Sequence, residues 1–385
     1  MAKTFDQINK KIRNGTGVVF TAEEVVAMAK EKSIKELAEE IDVVTTATFG
    51  PMCSTGAFLN FGHSDPPIKM AQIELNGVSA YGGLAAVDTY IGATQPSSDR
   101  GIEYGGAHVI EDLLNGKTVR LEAKGYPTDC YPKKKVTADV SLETLNQAYM
   151  FNPRNVYQNY AAAANTTSKT IYTYMGMLLP DQGNVMYTTS GELSPLLKDP
   201  QMRTIGVGTR IFFGGAIGYV AWEGTQAINN FENKDGVDRY AGYTLSLIGD
   251  LKQMSSEYMR AAVMENYGTS MFVGMGIPIP VLDEDMMKQL AVSNEKLYTY
   301  VFDYGVKALS RPTLKKVTYE QLRSGSVTLN GKSVKTASLS SITKARKIAN
   351  EIKDMVKRGE FTLVEPIQNL PHNDTFKRMS VIGEK

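Results

Sequence analysis

Cysteine is nearly absent: Cys53 and Cys130 are the only two in 385 residues, and they stand 77 positions apart. A thioredoxin-type motif needs C-x-x-C spacing and an iron–sulfur cluster usually takes four cysteines, so neither is expected. Histidine is almost as scarce. His63 follows Cys53 by ten residues, His108 precedes Cys130 by 22, and His372 sits beside Pro371 in a polar tail, where it reads as surface decoration. No pair has the close spacing of a metal site, so no metal is expected. Charge excess is missing too: net charge is +1, and the one lysine cluster is Lys133, Lys134 and Lys135. That balance gives no support to a nucleic-acid partner. The longest mostly apolar uncharged run, Ile211 to Trp222, has twelve residues, short of the roughly 20 that span a bilayer. "MAKTFDQINKKIRNG" has no apolar core of signal-peptide length. These absences predict a cytoplasmic protein without a membrane partner. In that compartment a permanent structural disulfide is not expected, and a cysteine pair is catalytic, redox-active or inert.

What is present reads as a folded chain with a large core, 42% hydrophobic and 22% charged. Thr21 with Glu24 and Ser33 with Glu36 fit the capping box, which predicts helices over Val25–Glu31 and Ile34–Glu40. "DVVTTATF", residues 42–49, is β-branched and strand-like, and Gly50-Pro51 closes it. Cys53 therefore follows the end of a strand, where open α/β sheets place their ligands. "HVIEDLLNG" predicts a short helix closed by Asn115-Gly116. "TVRLEAKGY" and "KKVTADV" predict two strands with Cys130 on their connection, and Ser141 predicts a cap for a helix over Leu142–Met150. Ile342, Ala345, Ile348, Ile352 and Met355 repeat at helical spacing and end at Gly359. The fold class is thus α/β, with mixed sheets, glycine-rich loops and an amphipathic C-terminal helix. The expected division is a core over 1–337 and a helical segment over 338–385 packed on it.

The glycines do not make a nucleotide site. Gly206 and Gly208 begin a dinucleotide fingerprint, but its third glycine position holds Ile211. Gly116-Lys117-Thr118 and Gly331-Lys332-Ser333 end like phosphate loops, yet the partner positions hold Glu111 and Ser326. The cysteines carry more. Cys53 lies between Pro51 and Gly56, Cys130 between Pro127 and Pro132, and loops of this kind carry function. The lysines after Cys130 favour its thiolate, or else form a solvated strand edge. His63 and His108 lie in glycine-rich loops, as proton donors or as turn residues.

Four long stretches carry a more specific signal: "PMCSTGAFLNFGHSDPPIKM", "RLEAKGYPTDCYPKKKV", "FNPRNVYQNYAAAANTTSKTIYTYMGMLLP" and "GELSPLLKDPQMRTIGVGTRIFFGGAIGYVAWEGTQ". In them the chain resembles the homocysteine-biosynthesis family of methanogenic archaea and anaerobic bacteria, assigned as L-aspartate semialdehyde sulfurtransferases. The resemblance runs from about residue 5 to about residue 370. Archaeal members often carry a pair of CBS domains after this core. No such pair fits within residue 385, so nucleotide regulation through those domains is not expected here.

The resemblance implies that Cys53 and Cys130 are the family's two characteristic cysteines. It implies conversion of L-aspartate semialdehyde to L-homocysteine with sulfide: an aldehyde and hydrogen sulfide give a thioaldehyde and water, and two electrons with two protons then give the thiol. On this reading hydrosulfide opens a Cys53–Cys130 disulfide into a persulfide and a thiolate. The outer sulfur attacks the aldehyde, water leaves, and the second thiolate releases the product and closes the disulfide. Cys130, beside its lysines, is expected to carry the persulfide and Cys53 to resolve it. His63 and His108 are the candidate proton donors. Arg154 and Arg210 are candidates for the substrate carboxylate, and Asp65 with its neighbour Ser64 for the ammonium. No tightly bound cofactor is expected. An external two-electron reductant, a ferredoxin-like iron–sulfur protein, and a homo-oligomer are. Two rivals use the same residues differently or not at all. A non-catalytic persulfide carrier or redox sensor would hand sulfur to a partner, whereas pyridoxal-phosphate chemistry would need a Schiff-base lysine and a phosphate cup, which no lysine here displays.

Overall fold

The strand that leads to Cys53 is the axis of the molecule. In the computed structural model, which describes residues 2–155, 160–227, 231–234, 237–240, 243–308, 311–371 and 377–383, it spans Val43–Pro51. It pairs in parallel with Val19–Thr21 and antiparallel with the 13-residue strand Gly268–Pro280, in register from Val43↔Pro280 to Pro51↔Phe272. Both capping boxes form, at Thr21 for Ala22–Met28 and at Ser33 for Ile34–Glu40. A third, Thr4 with Gln7, opens Phe5–Arg13.

These strands belong to a 16-stranded sheet. From Gly268–Pro280 its order continues through Arg210–Phe213, Ala216–Glu223, Leu245–Asp250, Gln147–Asn155 and Gly56–Asn60. It then passes Asp88–Gly92, Val78–Tyr81, Met70–Leu75 and Val119–Gly125 to the edge strand Lys135–Val140. A six-stranded sheet stands beside it, ordered Thr313–Thr318, Tyr298–Asp303, Ala162–Ala164, Asn184–Tyr187, Lys332–Ser338 and Ser326–Leu329. It has its own core, including Val185, Val301, Tyr319 and Val334. The two sheets meet along Val43–Pro51, where Ser190 Oγ donates to Thr48 Oγ1 at 2.9 Å and Ser341 N to Phe49 O at 2.8 Å. The fold is α/β with mixed sheets. Most pairings are antiparallel, so it is not an open parallel sheet.

The C-terminal helix Ile342–Lys357 covers one face of Val43–Pro51, with Ala345, Ile348, Ala349 and Ile352 buried. Thr45 Oγ1 donates to Ala349 O at 2.8 Å. The helix comes this close because Gly274 and Gly276 have no side chains: a Cβ would lie 2.7 Å from Ile348 Cδ1 at Gly274 and 2.4 Å from Ile352 Cδ1 at Gly276. A Cβ at Gly276 would also meet the fixed backbone oxygen of Thr46 at 2.4 Å. Gly276→Ala is therefore expected to lower unfolding stability by about 1–3 kcal/mol, as other overpacked cores do, read as a lower urea midpoint at unchanged slope.

The segment 142–150 departs from the sequence expectation. Ser141 does not cap a helix: its N–H donates to Thr144 Oγ1 at 2.8 Å and its carbonyl accepts from Thr144 N, closing a turn. The strand Gln147–Asn155 follows, between Gly56–Asn60 and Leu245–Asp250. Ala148 and Met150 are buried and Tyr149 is exposed, a period of two that two flanking strands enforce over a weak cap. The apolar run from Ile211 is a hairpin, turned by Gly214 and Gly215 at φ of +61° and +98°. Among the described residues no helix is long and apolar enough to cross a membrane.

Candidate active site

Beyond Pro51 the chain keeps following Gly268–Pro280 for one more residue, as Met52 N donates to Met271 O at 2.7 Å. Thr55 N then donates back to Met52 O at 3.1 Å, which leaves Cys53 and Ser54 at the corner of a tight turn. Asn152, fully buried, ties this turn to the neighbouring strand through Nδ2 to Thr55 Oγ1 at 3.0 Å. Two residues on, Arg154 reaches the same place. Cys53 is half-buried, with its Sγ 2.9 Å from Ser270 Oγ. Burial pushes its pKa above the ordinary thiol value, while the Ser270 hydroxyl and the Arg154 charge pull the other way.

Cys53 and Arg154 open onto a cavity of about 390 Å³ between the two sheets. Thr48, Thr188, Thr189, Ser194, Ser340 and three tyrosines, Tyr160, Tyr174 and Tyr267, line it with hydroxyls. The described lining has no Asp, Glu, Lys or His. Arg154 Nε is buried with no hydrogen-bond partner. A buried guanidinium N–H without a partner is costly, and the described lining holds no acid that could pair with it. The cavity thus offers a thiol, one cation and neutral donors, suited to a small anionic electrophile.

The other residues singled out from sequence fall into three places. Cys130 is exposed on the connection between Val119–Gly125 and Lys135–Val140. Thr128 and Tyr131 exchange backbone hydrogen bonds of 3.0 and 3.1 Å, so Asp129 and Cys130 form the tip of a tight turn. The ring of His63 stacks on Tyr131, centroids 6.1 Å apart. Ser64 Oγ donates to Pro66 O at 2.8 Å, Lys133 N to Pro67 O at 3.3 Å, and Asp65 is exposed. So His63, Ser64, Asp65 and Cys130 gather beyond Asn60, whereas Cys53 lies before Gly56. The strand between, Gly56–Asn60, rises about 13 Å, and Cys130 is four strands further across the sheet. A disulfide needs Cα atoms within about 7 Å, and both thiols are free.

His108 is in the first turn of helix Gly106–Leu114, where its Nδ1 accepts from Gly105 N at 3.2 Å and its ring stacks on Tyr104. Burial lowers its pKa, against Glu111 and Asp112. Its geometry is that of a helix cap. Arg210 Nη1 donates to Thr362 Oγ1 at 2.9 Å and its guanidinium lies over Phe361, anchoring the C-terminal segment. Neither residue lines the Cys53 cavity. His372 lies outside the described residues. The residues missed from sequence are the tyrosines and hydroxyls. Tyr160 and Tyr174 stand in one of the stretches that carried the resemblance, and their aromatic density was the available signal.

Comparison with known proteins matches residues 17–363 to a family described as "Homocysteine biosynthesis enzyme, sulfur-incorporation". The chain is 50% identical over 377 residues to a protein of Methanosarcina acetivorans named L-aspartate semialdehyde sulfurtransferase, covering 98% of this chain and 74% of that one. A Methanocaldococcus jannaschii protein of the same name is 51% identical over 383 residues, covering 96% of this chain and 73% of that one. An uncharacterized protein of Methanothermobacter thermautotrophicus is 32% identical over 333 residues, covering 83% and 72%. No solved structure matches.

Proposed function

This chain belongs to the sulfur-incorporating homocysteine biosynthesis enzymes, and on that premise we propose that it converts L-aspartate semialdehyde to L-homocysteine at the Cys53 cavity. The observation that carries the assignment to this cavity is the thiol of Cys53 beside the buried, unpaired Nε of Arg154. Arg154 takes the substrate carboxylate, since a guanidinium fork matches two carboxylate oxygens. The ammonium then meets the hydroxyl oxygens and the Gln226 amide. Gln226 is held at φ +62° at the cavity wall.

The persulfide is assigned to Cys53 rather than Cys130, because Cys53 is the thiol that shares an enclosed space with a carboxylate-binding group. Its outer sulfur attacks the aldehyde carbon. Loss of water leaves a sulfur-stabilised cation at that carbon, and two electrons with one proton from an external donor saturate it. A ferredoxin-like iron–sulfur protein is the class of donor that fits. Attack of the second thiolate on Cys53 Sγ releases the homocysteine thiolate and forms a disulfide. Hydrosulfide then opens that disulfide to restore the persulfide and a free thiol. Within one chain the strand Gly56–Asn60 keeps Cys130 away from Cys53, so the closing thiolate comes from Cys130 of a second copy.

The test is anaerobic: protein, aspartate semialdehyde, sulfide and a strong reductant, with homocysteine followed by mass spectrometry. Wild type is expected to form it. Arg154→Met is expected to raise KM about 10- to 100-fold, the worth of a charge-assisted hydrogen bond to a carboxylate, with a smaller change in kcat. A persulfide on Cys53 without any homocysteine would favour the carrier, and an unchanged KM in Arg154→Met would remove the carboxylate assignment.

A further inference from the structure

The proposed reaction needs a proton at the aldehyde oxygen, and neither His63 nor His108 reaches the cavity. Four tyrosines do the converging instead. Tyr174 sits in the turn between Ile171–Thr173 and Gly176–Leu178. Thr173 Oγ1 accepts from Met175 N and donates to Gly176 O, both at 3.0 Å, and Gly176 has φ +86°. This locks the turn, buries Met175 and turns Tyr174 to the cavity. Tyr174 Oη lies 2.8 Å from Tyr304 Oη. Tyr160 meets Tyr174 edge-on, centroids 6.0 Å apart, and its hydroxyl pulls the Tyr304 pKa down, as a donor to it would. The Arg311 guanidinium lies 4.1 Å from the Tyr304 ring centroid, and its Nε is buried without a hydrogen-bond partner. Tyr267 meets Tyr174 edge-on, centroids 6.3 Å apart, and is near enough to Cys53 to feel its charge.

Resting on the function proposed above, we infer that Tyr174 is the catalytic proton donor to the aldehyde oxygen and that Tyr304 is its positioning and relay residue. A phenol has one proton and two lone pairs. With Tyr160 donating to Tyr304 and Tyr304 to Tyr174, the Tyr174 proton is left for the cavity. As sulfur attacks, the carbonyl π pair moves to oxygen, which takes that proton. Tyr174 recovers a proton from Tyr304, and Tyr304 from Tyr160, which lines the cavity and is reprotonated by solvent. A second donation lets the hydroxyl leave as water. Burial pushes the Tyr304 pKa up, with Arg311 opposing, so Tyr304 stays neutral and gives its proton only against a stronger base. Neutral hydroxyls aimed at a developing oxyanion are the arrangement expected where no histidine is available.

Three readouts test this on the full chain. The first is the mass gain of one sulfur on Cys53 from a persulfide donor, which keeps its own thiolate as the leaving group. The second is homocysteine turnover. The third is the hemithioacetal that unloaded Cys53 forms with a short ¹³C-labelled aldehyde acid, followed by NMR. Tyr174→Phe is expected to load sulfur as wild type does, to lose about 10²- to 10³-fold in turnover, and to weaken the hemithioacetal about tenfold. Tyr304→Phe keeps the packing and is expected to lose about tenfold in turnover with a shifted pH profile. His63→Gln and His108→Gln are expected to retain wild-type turnover. A Tyr174→Phe protein within twofold of wild type in both turnover and hemithioacetal overturns the relay, as does one that no longer loads sulfur, which marks a structural role. A wild type that forms the hemithioacetal but no homocysteine sinks the proposed reaction while leaving the Tyr174 comparison to decide the donor. A wild type that forms neither sinks both.

Discussion

Cys53→Ser is expected to form no homocysteine and to gain no sulfur from sulfide, a loss of at least about 10³-fold, as for an enzyme stripped of its nucleophile. The substitution keeps the contact to Ser270 and the Met52–Thr55 turn, so thermal melting should hardly move. The loss would then belong to the chemistry. The pH dependence follows from the same surroundings. Burial, the dominant influence, raises the Cys53 pKa above that of a free thiol, so its thiolate fraction keeps growing with pH beyond the usual thiol range. Alkylation of Cys53 should therefore still be accelerating where an exposed model thiol has levelled off. Arg154 is one of the groups that oppose the shift. Once a substrate carboxylate neutralises it, the free thiolate loses that support. Preincubation with a non-reactive dicarboxylic acid is expected to slow alkylation of Cys53. Acceleration instead would show that the carboxylate does not reach Arg154.

Local features were the legible ones. The capping boxes at Thr21 and Ser33, the Gly359 stop and the β-branched strand before Cys53 each depend on a few neighbouring residues, and each formed. Arg154, singled out through the stretch around "NPRN", lines the same cavity as Cys53. Ser141 misled because a cap is worth about 1 kcal/mol, less than two flanking strands that bury Ala148 and Met150. The tyrosine cluster was legible only in part. Tyr160 and Tyr174 share one aromatic stretch, but Tyr267 and Tyr304 lie about a hundred residues further on, and only the fold brings the four rings together. The histidines illustrate the converse. His63 is close in sequence to Cys53, but the extended strand between them carries it to the other end of the sheet.

The same strand makes Cys130 the subject of the second large effect. Cys130→Ala is expected to lose turnover as fully as a Cys53 variant, because no other cysteine exists to release the product. Yet it should still acquire sulfur on Cys53 from a persulfide donor, since that step needs only the cavity. If the two sulfurs meet between copies, a variant lacking one cysteine can be rescued by a variant lacking the other. A Cys53→Ala chain supplies Cys130, and a Cys130→Ala chain supplies Cys53. In a two-fold dimer mixed at random, half the dimers contain one of each, and each of those has one complete site out of two. The mixture of two inactive proteins is therefore expected to recover about one quarter of wild-type turnover, measured after co-expression or subunit exchange. Oxidised wild type should also run as a disulfide-linked dimer on a non-reducing gel, and neither single variant should. Recovery of activity without the linked dimer would mean the thiols meet only transiently. No recovery, with wild type active and oxidised as a monomer, would mean that the chain brings Cys130 across its own sheet, and the second copy would have no part in the cycle.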